Sequence, residues 1–301
     1  MCFFINACSP YSDEAFFEPT KTSAYQLGDY QGETGFQLDD NVYAIDSNLI
    51  NINRALISDD GNNTVEISGI YVGDISKINV NKVIVYCHDK MENIDYYWPR
   101  IEILAKLGLV DFGIMIVDYR GYGESQGTPS ESALYADVNA ALVWLEANGL
   151  TDDRLIMYGY GLGSAVAIEL TANPRTLTPA KIIIESPLAS IESLIQDTTL
   201  QATPGSFISN LKFNNIDKIK NITQPILWMH GAQDRVYNID TQGQLLYDHH
   251  PGTDFIKNPD AEFFDKTAFR ISNANHFNVP QNFDNGLEGY VFNVLTFVST
   301  E

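Results

Sequence analysis

Short apolar runs alternate with longer amphipathic segments from about residue 56 to the end of the chain. Five of the runs are KVIVYC (82–87), FGIMIVDY (112–119), RLIMYGY (154–160), KIIIES (181–186) and PILWMHG (225–231). Each is apolar at consecutive positions, which is typical of strands buried on both faces of a parallel sheet. The pattern therefore predicts an α/β protein, with a mostly parallel sheet and helices on both of its faces.

Helices are predicted between these strands and at the end of the chain. The spacing favours them over 96–108, 130–149 and 286–298, and Ser130 supplies an N-cap for the second. Two further strands are predicted around the Gly-Asn turn of 55–73, and the last strand over 268–276. Residues 188–222 lie between strands and lack a strand signal, so they predict a small helical cap over the site.

Residues 9–55 are polar and acidic and show no clear periodicity. They are interpreted as an N-terminal extension or tether, ahead of one domain that spans 56–301. Short apolar runs within the extension, such as AFFEP and NVYAI, indicate that parts of it pack on that domain.

The first ten residues, MCFFINACSP, are apolar up to Ala7-Cys8 and polar afterwards. A small residue before a cysteine resembles the end of a bacterial lipoprotein signal, but the basic start is missing and the apolar stretch is short. Residues 1–8 are therefore either a truncated lipoprotein signal that precedes a lipidated Cys8, or a chance match. The first interpretation predicts a lipoprotein anchored in the cell envelope, and the second a secreted or cytoplasmic protein.

The chain has 39 acidic residues against 18 lysines and arginines, a net charge of −21. This balance argues against nucleic acids and anionic membrane surfaces as partners, because both require a basic surface. With no run of 18 apolar residues, membrane contact is expected only through a lipid on Cys8. We expect neither a cofactor nor a metal, and a buried free thiol at Cys87.

Polar residues follow four of the predicted strands, at the edge of the sheet where function collects in open parallel sheets. They are the loop of Cys87-His88-Asp89-Lys90, the glycine turn of 159–163, Asp234 and His276. The glycine turn, Asp234 and His276 follow one another along the chain in the order of the nucleophile elbow, acid and histidine of an α/β-hydrolase triad. In such a triad the histidine takes the proton of the nucleophile, and the carboxylate orients the imidazole.

Four segments carry a more specific resemblance: VDYRGYGESQGTPSESALYADVNAALVWL, MYGYGLGSAVAIELT, IIIESPLASI and ILWMHGAQDRV. Together they resemble the bud-emergence-related branch of the α/β-hydrolase superfamily, which contains acyl ester and thioester hydrolases. The resemblance implies that Asp234 and His276 are triad members and that Gly161 stands at the nucleophile position. It also implies one oxyanion-hole amide from Leu162 and another from Lys90 or Asp89, with an acyl-type ligand.

Three neighbouring residues have roles that the sequence leaves open. Tyr160 either lines the ligand pocket or packs inside the protein. His88 is placed with Tyr160 at the ligand pocket, and it is interpreted as a residue that orients the loop there rather than as a base. Asp234 could also cap the turn after its strand, as aspartates in such turns often do.

Two residues depart from the catalytic pattern. Gly161 suits an elbow with positive φ but has no atom that can attack a substrate. Ser164, the nearest hydroxyl, lies about one helical turn beyond the tip of the elbow. Asp89 places a negative charge where a glycine is usual; at about 5 Å from an oxyanion it would cost roughly 3 kcal/mol. Lys90 could neutralise that charge.

These departures lead to two functional hypotheses. The first is a pseudoenzyme that binds a small acyl-type ligand or a partner without efficient turnover. The second is an active ester or thioester hydrolase, which requires that Gly161 is an engineered or erroneous residue or that another group attacks. A third, non-enzymatic interpretation is an envelope scaffold anchored through Cys8.

Overall fold

The computed structural model describes residues 16–30, 32–33, 38–108, 111–198, 211–254 and 265–300. Its sheet consists of the strands β1 (Ile50–Asp59), β2 (Thr64–Val72), β3 (Lys82–Cys87), β4 (Phe112–Val117), β5 (Leu155–Tyr160), β6 (Lys181–Glu185), β7 (Ile226–Gly231) and β8 (Lys266–Ile271). The strands lie in the order β1-β2-β4-β3-β5-β6-β7-β8. β2 pairs antiparallel with β1 and β4, and the other neighbours are parallel. The predicted fold class is therefore confirmed.

Helices connect the strands in the described residues. They are α1 (Asp40–Tyr43), α2 (Ile94–Ala105), α3 (Glu131–Ala147), α4 (Gly163–Ala172), α5 (Ile191–Thr198), α6 (Asn215–Ile219), α7 (Gln244–His249) and α8 (Gly286–Ser299), with short 3₁₀ turns at Leu27–Asp29, Ser47–Leu49, Ile75–Lys77, Asp152–Arg154 and Pro280–Asn282 and a π turn at Ile239–Gly243. The Ser130 hydroxyl caps α3 by accepting the N–H of Ala133 at 3.2 Å, as predicted. None of the helices in the described ranges is long and apolar enough to cross a bilayer.

Two apolar layers cover the two faces of the sheet. Along β3, Val83 and Val85 belong to one layer, and Ile84 and Tyr86 belong to the other. Successive side chains of a strand point to opposite faces, so both faces of this central strand are buried. α3 and α4 pack in the first layer, and α2 and α8 in the second. Cys87, at the end of β3, is a buried free thiol, as predicted.

The N-terminal part of the chain contributes to the folded body. β1 begins at Ile50, within the extension predicted for 9–55, and pairs with β2 around the predicted turn. Residues 1–15 lie outside the described residues, and so does Cys8. The region predicted as a cap, 188–222, contains α5 and α6; residues 199–210 are outside the described part of the chain.

Candidate functional site

The turn between β5 and α4 has the strand-turn-helix form of a nucleophile elbow. Gly161 at its tip has a φ of +56°, a backbone conformation that side chains other than glycine rarely adopt. Gly163 is required for a second reason, because a Cβ there would overlap the backbone oxygen of Cys87. The elbow is therefore formed as the sequence predicts, but it presents no side chain.

The carboxyl group of Asp89 fills the space in front of Gly161. A Cβ at position 161 would lie 2.8 Å from the Asp89 Cβ and closer still to its Cγ and Oδ1 atoms. Cβ atoms essentially never approach other heavy atoms within 3.0 Å. The loop after β3 thus places a carboxylate where the nucleophilic side chain of a hydrolase would lie.

Asp89 engages the amides that the family resemblance assigns to the oxyanion hole. Its Oδ1 accepts the N–H of Leu162 at 2.6 Å, and the Tyr237 hydroxyl lies 3.4 Å away. Burial raises the pKa of Asp89, but hydrogen bonds from His276 and from the backbone of Leu162 and Lys90 outweigh it and leave the pKa below its usual value. The amides that would stabilise an oxyanion therefore already bind an anion of the chain.

His276 lies between two carboxylates. Its Nε2 is 3.1 Å from Asp89 Oδ2, and its Nδ1 is 2.9 Å from Asp234 Oδ2. Asp234 also caps its own turn, because its Oδ1 accepts the N–H groups of Val236 and Tyr237. The structure thus brings the predicted acid and histidine together, and the same carboxylate caps the turn after β7.

These two carboxylates keep His276 protonated at neutral pH. Burial alone lowers the pKa of the imidazole, but the hydrogen bonds and charges of Asp234 and Asp89 raise it to about 10. Burial raises the pKa of Asp234, but its contacts with His230 and His276 outweigh burial and hold that pKa well below its usual range. An imidazolium with both N–H groups donated cannot accept a proton from a nucleophile. In this structure Asp234, His276 and Asp89 therefore form a buried ion triplet.

The Ser164 hydroxyl, the nearest serine hydroxyl to the tip of the elbow along the chain, is engaged in two hydrogen bonds. It donates to the backbone oxygen of Gly161 at 2.7 Å and accepts the N–H of Leu188 at 3.1 Å. The side chain is completely buried. Through these contacts, Ser164 connects the elbow to the loop after β6.

His88 and Tyr160 pack inside the protein in this structure. The His88 ring lies 5.0 Å from Tyr97 and 4.3 Å from Tyr119, and its Nδ1 contacts the backbone oxygen of Asp89 at 2.7 Å. The Tyr160 ring stacks on His276 at 5.1 Å, and its hydroxyl donates to the His276 backbone oxygen at 3.1 Å. Both side chains are buried in this structure, and Tyr160 packs directly on the His276 ring.

Lys90 does not neutralise Asp89, contrary to the sequence-based expectation. Its ammonium lies 3.2 Å from Glu18, on the N-terminal segment. The charge of Asp89 is balanced instead by His276, which the sequence places almost two hundred positions away.

A second cluster of buried charges, around Arg100, lies close to His276 and was not predicted from the sequence. The Arg100 guanidinium donates to Glu33 at 2.6 Å, to Glu185 at 2.7 Å and to the Phe277 backbone oxygen at 3.0 Å. It also lies 3.8 Å from the centre of the Tyr160 ring. An arginine within the apolar sequence of α2, and a glutamate ending the apolar β6, were the available signals for two of its members. Nothing in the sequence around Glu33 indicated its partner.

A cavity of about 490 Å³ lies at the opposite, amino-terminal end of the strands. Lys82, Arg154 and Lys181 line it, and each donates to backbone carbonyl groups. These cations therefore hold the ends of neighbouring elements together.

No group of three or more His, Cys, Asp or Glu side chains that could hold a metal occurs within the residues that the structure describes.

Comparison with known proteins agrees with this architecture. Residues 78–219 match the family model described as serine aminopeptidase, S33. The chain is 35% identical to alpha/beta hydrolase domain-containing protein 17B of Xenopus laevis over 141 residues, which is 46% of each chain. The human 17B protein is 34% identical over the same length. The matched stretch thus spans less than half of these relatives.

Solved structures resemble nearly the whole chain. An esterase of Pyrococcus furiosus superposes with a TM-score of 0.63 at 17% identity, covering 93% of this chain and 98% of that one. The Est1E protein of Butyrivibrio proteoclasticus, solved with ferulic acid, gives 0.59 at 16% identity and covers 81% and 97%. The strand order of the sheet, the elbow between β5 and α4, and the similarity to these solved structures identify the chain as a protein of the α/β-hydrolase fold.

Proposed function

We propose that this protein is a pseudoenzyme of the α/β-hydrolase fold, which binds a small acyl-type ligand without covalent turnover. The observation that carries the proposal is the position of Asp89, whose carboxylate occupies the nucleophile space and contacts both the Leu162 amide and His276. Three features argue against covalent catalysis. Position 161 has no side chain that can attack, the Leu162 amide already binds Asp89, and the contacts of His276 with two carboxylates favour its protonated form.

The size of the expected defect follows from serine hydrolases in general. Loss of the nucleophilic serine lowers kcat by about 10⁶-fold in subtilisin, and the residual rate depends on the oxyanion hole and on binding. Here the Leu162 amide is itself engaged by Asp89, so that residual contribution is reduced as well. We therefore expect no turnover above background at neutral pH.

An active ester or thioester hydrolase is the second candidate. It is favoured by the Asp234–His276 contact of 2.9 Å, which has the geometry of a working triad, and by the esterases among the similar folds. For this function Asp89 must leave the elbow, His276 must lose its proton, and a water molecule must take the place of the missing side chain.

One assay separates the two functions. The full chain and its His276→Gln variant are incubated with a fluorophosphonate probe and with p-nitrophenyl acetate, butyrate and octanoate at pH 7.5. The pseudoenzyme predicts no labelling and equal background hydrolysis in both proteins. Hydrolysis that disappears in His276→Gln would show that the second function is correct, and labelling would show that a side chain of the protein attacks in place of the missing serine.

The lipid anchor at Cys8 is a separate proposal, supported by the Ala7-Cys8 sequence alone. It is tested by expressing the full-length precursor in a bacterium that processes lipoproteins and measuring partition into detergent. The anchor predicts that the protein partitions into detergent and that Cys8→Ala abolishes it. Partition that is the same in both forms rejects the anchor.

A further inference from the structure

The N-terminal segment runs along the loop that carries Asp89. Pro19 forms a parallel bridge with Glu92, and Lys21 forms another with Gly123. The Gly123 N–H donates to the backbone oxygen of Thr20 at 2.8 Å. The segment is thus held by backbone pairing to loops that follow β3 and β4, at the carboxyl ends of the strands.

Two phenylalanines of this segment fill the space between the Asp89 loop and the region around α6. Phe17 is completely buried, and the rings of Phe16 and Phe17 lie 6.0 and 6.3 Å from Phe213. The Tyr122 hydroxyl lies within hydrogen-bond distance of the backbone oxygens of both Phe17 and Lys90. The two rings therefore occupy an apolar surface directly beside the site.

A charge pair lies next to the two rings. The Lys90 ammonium is 3.2 Å from Glu18 and 5.5 Å from the centre of the Phe16 ring. Lys90 directly follows Asp89 in the chain, and its side chain is 17% exposed, whereas that of Glu18 is 55% exposed. In a protein of net charge −21, this cation is a specific feature of the surface. Residues 16–18 thus present two apolar groups followed by a carboxylate.

We propose that the surface beneath Phe16, Phe17 and Glu18 is the ligand site of this protein, and that its ligand is an apolar carboxylate. The hydrocarbon or aryl part of the ligand takes the place of the two rings, and its carboxylate takes the place of Glu18 on Lys90. Residues 16–18 then act as an internal competitor. The inference rests on the proposed function, because it assigns the class and the binding surface of the acyl-type ligand proposed there.

Internal competition lowers the apparent affinity for a ligand. A tethered occupant has a high effective concentration, and a ligand binds only the fraction of molecules in which the occupant has left. Weakening the contact between Glu18 and Lys90 should therefore strengthen binding without any change in the surface itself. The Lys90 ammonium should decide whether a carboxylate is preferred over an uncharged group of the same length.

The test measures binding of dodecanoate and of 1-dodecanol to the full chain by calorimetry, below the concentration at which micelles form. Glu18→Ala should bind dodecanoate about two- to five-fold more tightly than the unmodified protein, as expected for the loss of one exposed ion pair. Phe17→Ala should give a larger gain. Lys90→Met should lose the preference for dodecanoate over dodecanol. Far-UV circular dichroism and thermal unfolding establish which variants are folded.

A second measurement follows displacement of the segment directly. Dodecanoate should accelerate hydrogen exchange at the Gly123 amide in the unmodified protein, because that amide pairs with Thr20. If Phe17→Ala fails to fold, Glu18→Ala decides the outcome, because Glu18 is exposed. Equal dodecanoate affinity in Glu18→Ala and the unmodified protein, equal affinity for dodecanol, or unchanged exchange at Gly123 would each overturn the proposal.

Failure of this proposal is distinct from failure of the proposed function. Fluorophosphonate labelling reports whether the site reacts, and dodecanoate binding reports what it holds. A labelled protein that still binds dodecanoate on Lys90 rejects the pseudoenzyme and keeps the ligand class. An unlabelled protein that fails the dodecanoate tests keeps the pseudoenzyme and rejects the ligand class.

Discussion

The carboxylate of Asp89 lies where a side chain at Gly161 would lie, so these two residues form one structural unit. The sequence presents them as separate departures from the catalytic pattern, 72 positions apart. In the folded protein, each residue requires the other: only glycine leaves room for the carboxylate, and the carboxylate gives His276 the partner that a serine would have been. The four following predictions test this site and its surroundings.

Gly161→Ser alone is expected to destabilise the protein without creating a nucleophile. The new Cβ collides with Asp89, and φ at this position is +56°, so the cost should be about 2–4 kcal/mol. Urea unfolding and fluorophosphonate labelling measure the two effects. Gly61→Ser is the matched control, because Gly61 has a φ of +85° with nothing within 4 Å of its Cβ position. A labelled Gly161→Ser protein as stable as the control would contradict the prediction.

Removing Asp89 at the same time should make the serine functional. In Asp89→Gly/Gly161→Ser the collision disappears, the Leu162 amide is free, and His276 keeps Asp234 as its one carboxylate partner. We expect fluorophosphonate labelling in the double variant and in neither single variant, since residues in contact are not additive. Adding His276→Gln should abolish the labelling. An unlabelled double variant that is folded would show that a further element disables the site.

The protonated state of His276 should make stability depend on pH. Its pKa in the folded protein, about 10, is above the ordinary value of 6.5. The stabilisation is therefore fully present below about pH 6.5 and is lost as the pH rises towards 10. Urea midpoints at pH 7 and pH 10 should differ more for the unmodified protein than for His276→Gln. Nitrogen-15 spectra of the imidazole should show both ring nitrogens protonated at pH 7.5, and a neutral ring there would refute the ion triplet.

Arg100→Met should be among the most destabilising single changes in the described part of the protein. It leaves Glu33 and Glu185 buried without the guanidinium, and breaking a buried pair costs about 3–5 kcal/mol. Lys220→Met is the matched control, because Lys220 pairs with Asp217 at the surface at 2.7 Å, and such pairs contribute about 0–1 kcal/mol. The loss for Arg100→Met should be smaller at pH 5 than at pH 7, because burial raises the pKa of Glu33 and the variant lacks the guanidinium that opposes this rise. Similar urea midpoints for the two variants would contradict this account.

The sheet was predictable because its signals are local. Apolar runs such as KVIVYC become buried strands, and Ser130 caps α3 through a contact three residues away. The positions of Asp234 and His276 followed from motif order, since loops at the carboxyl ends of parallel strands meet at one edge of the sheet.

The direction of the Asp89 side chain was not predictable from the same signals. Its partners, Leu162 and His276, are 73 and 187 positions away, and only the packed structure shows that a carboxylate reaches them. Glu33 is similar: it lies in a segment without periodicity and finds Arg100 through tertiary contact alone. A single acid in an aperiodic stretch carries no local sign of its partner.

The burial of Glu33 also has a consequence for the order in which the protein is made. Arg100 follows it by 67 residues, and Phe277, which completes the same cluster, follows Arg100 by another 177. At synthesis rates of about 5–20 residues per second, the first interval lasts roughly 3–13 s and the second roughly 9–35 s. The earliest described part of the chain to leave the ribosome is therefore the part that must wait longest for its binding surface. The described residues between 16 and 33 are expected to dock last, after Phe277 has been synthesised.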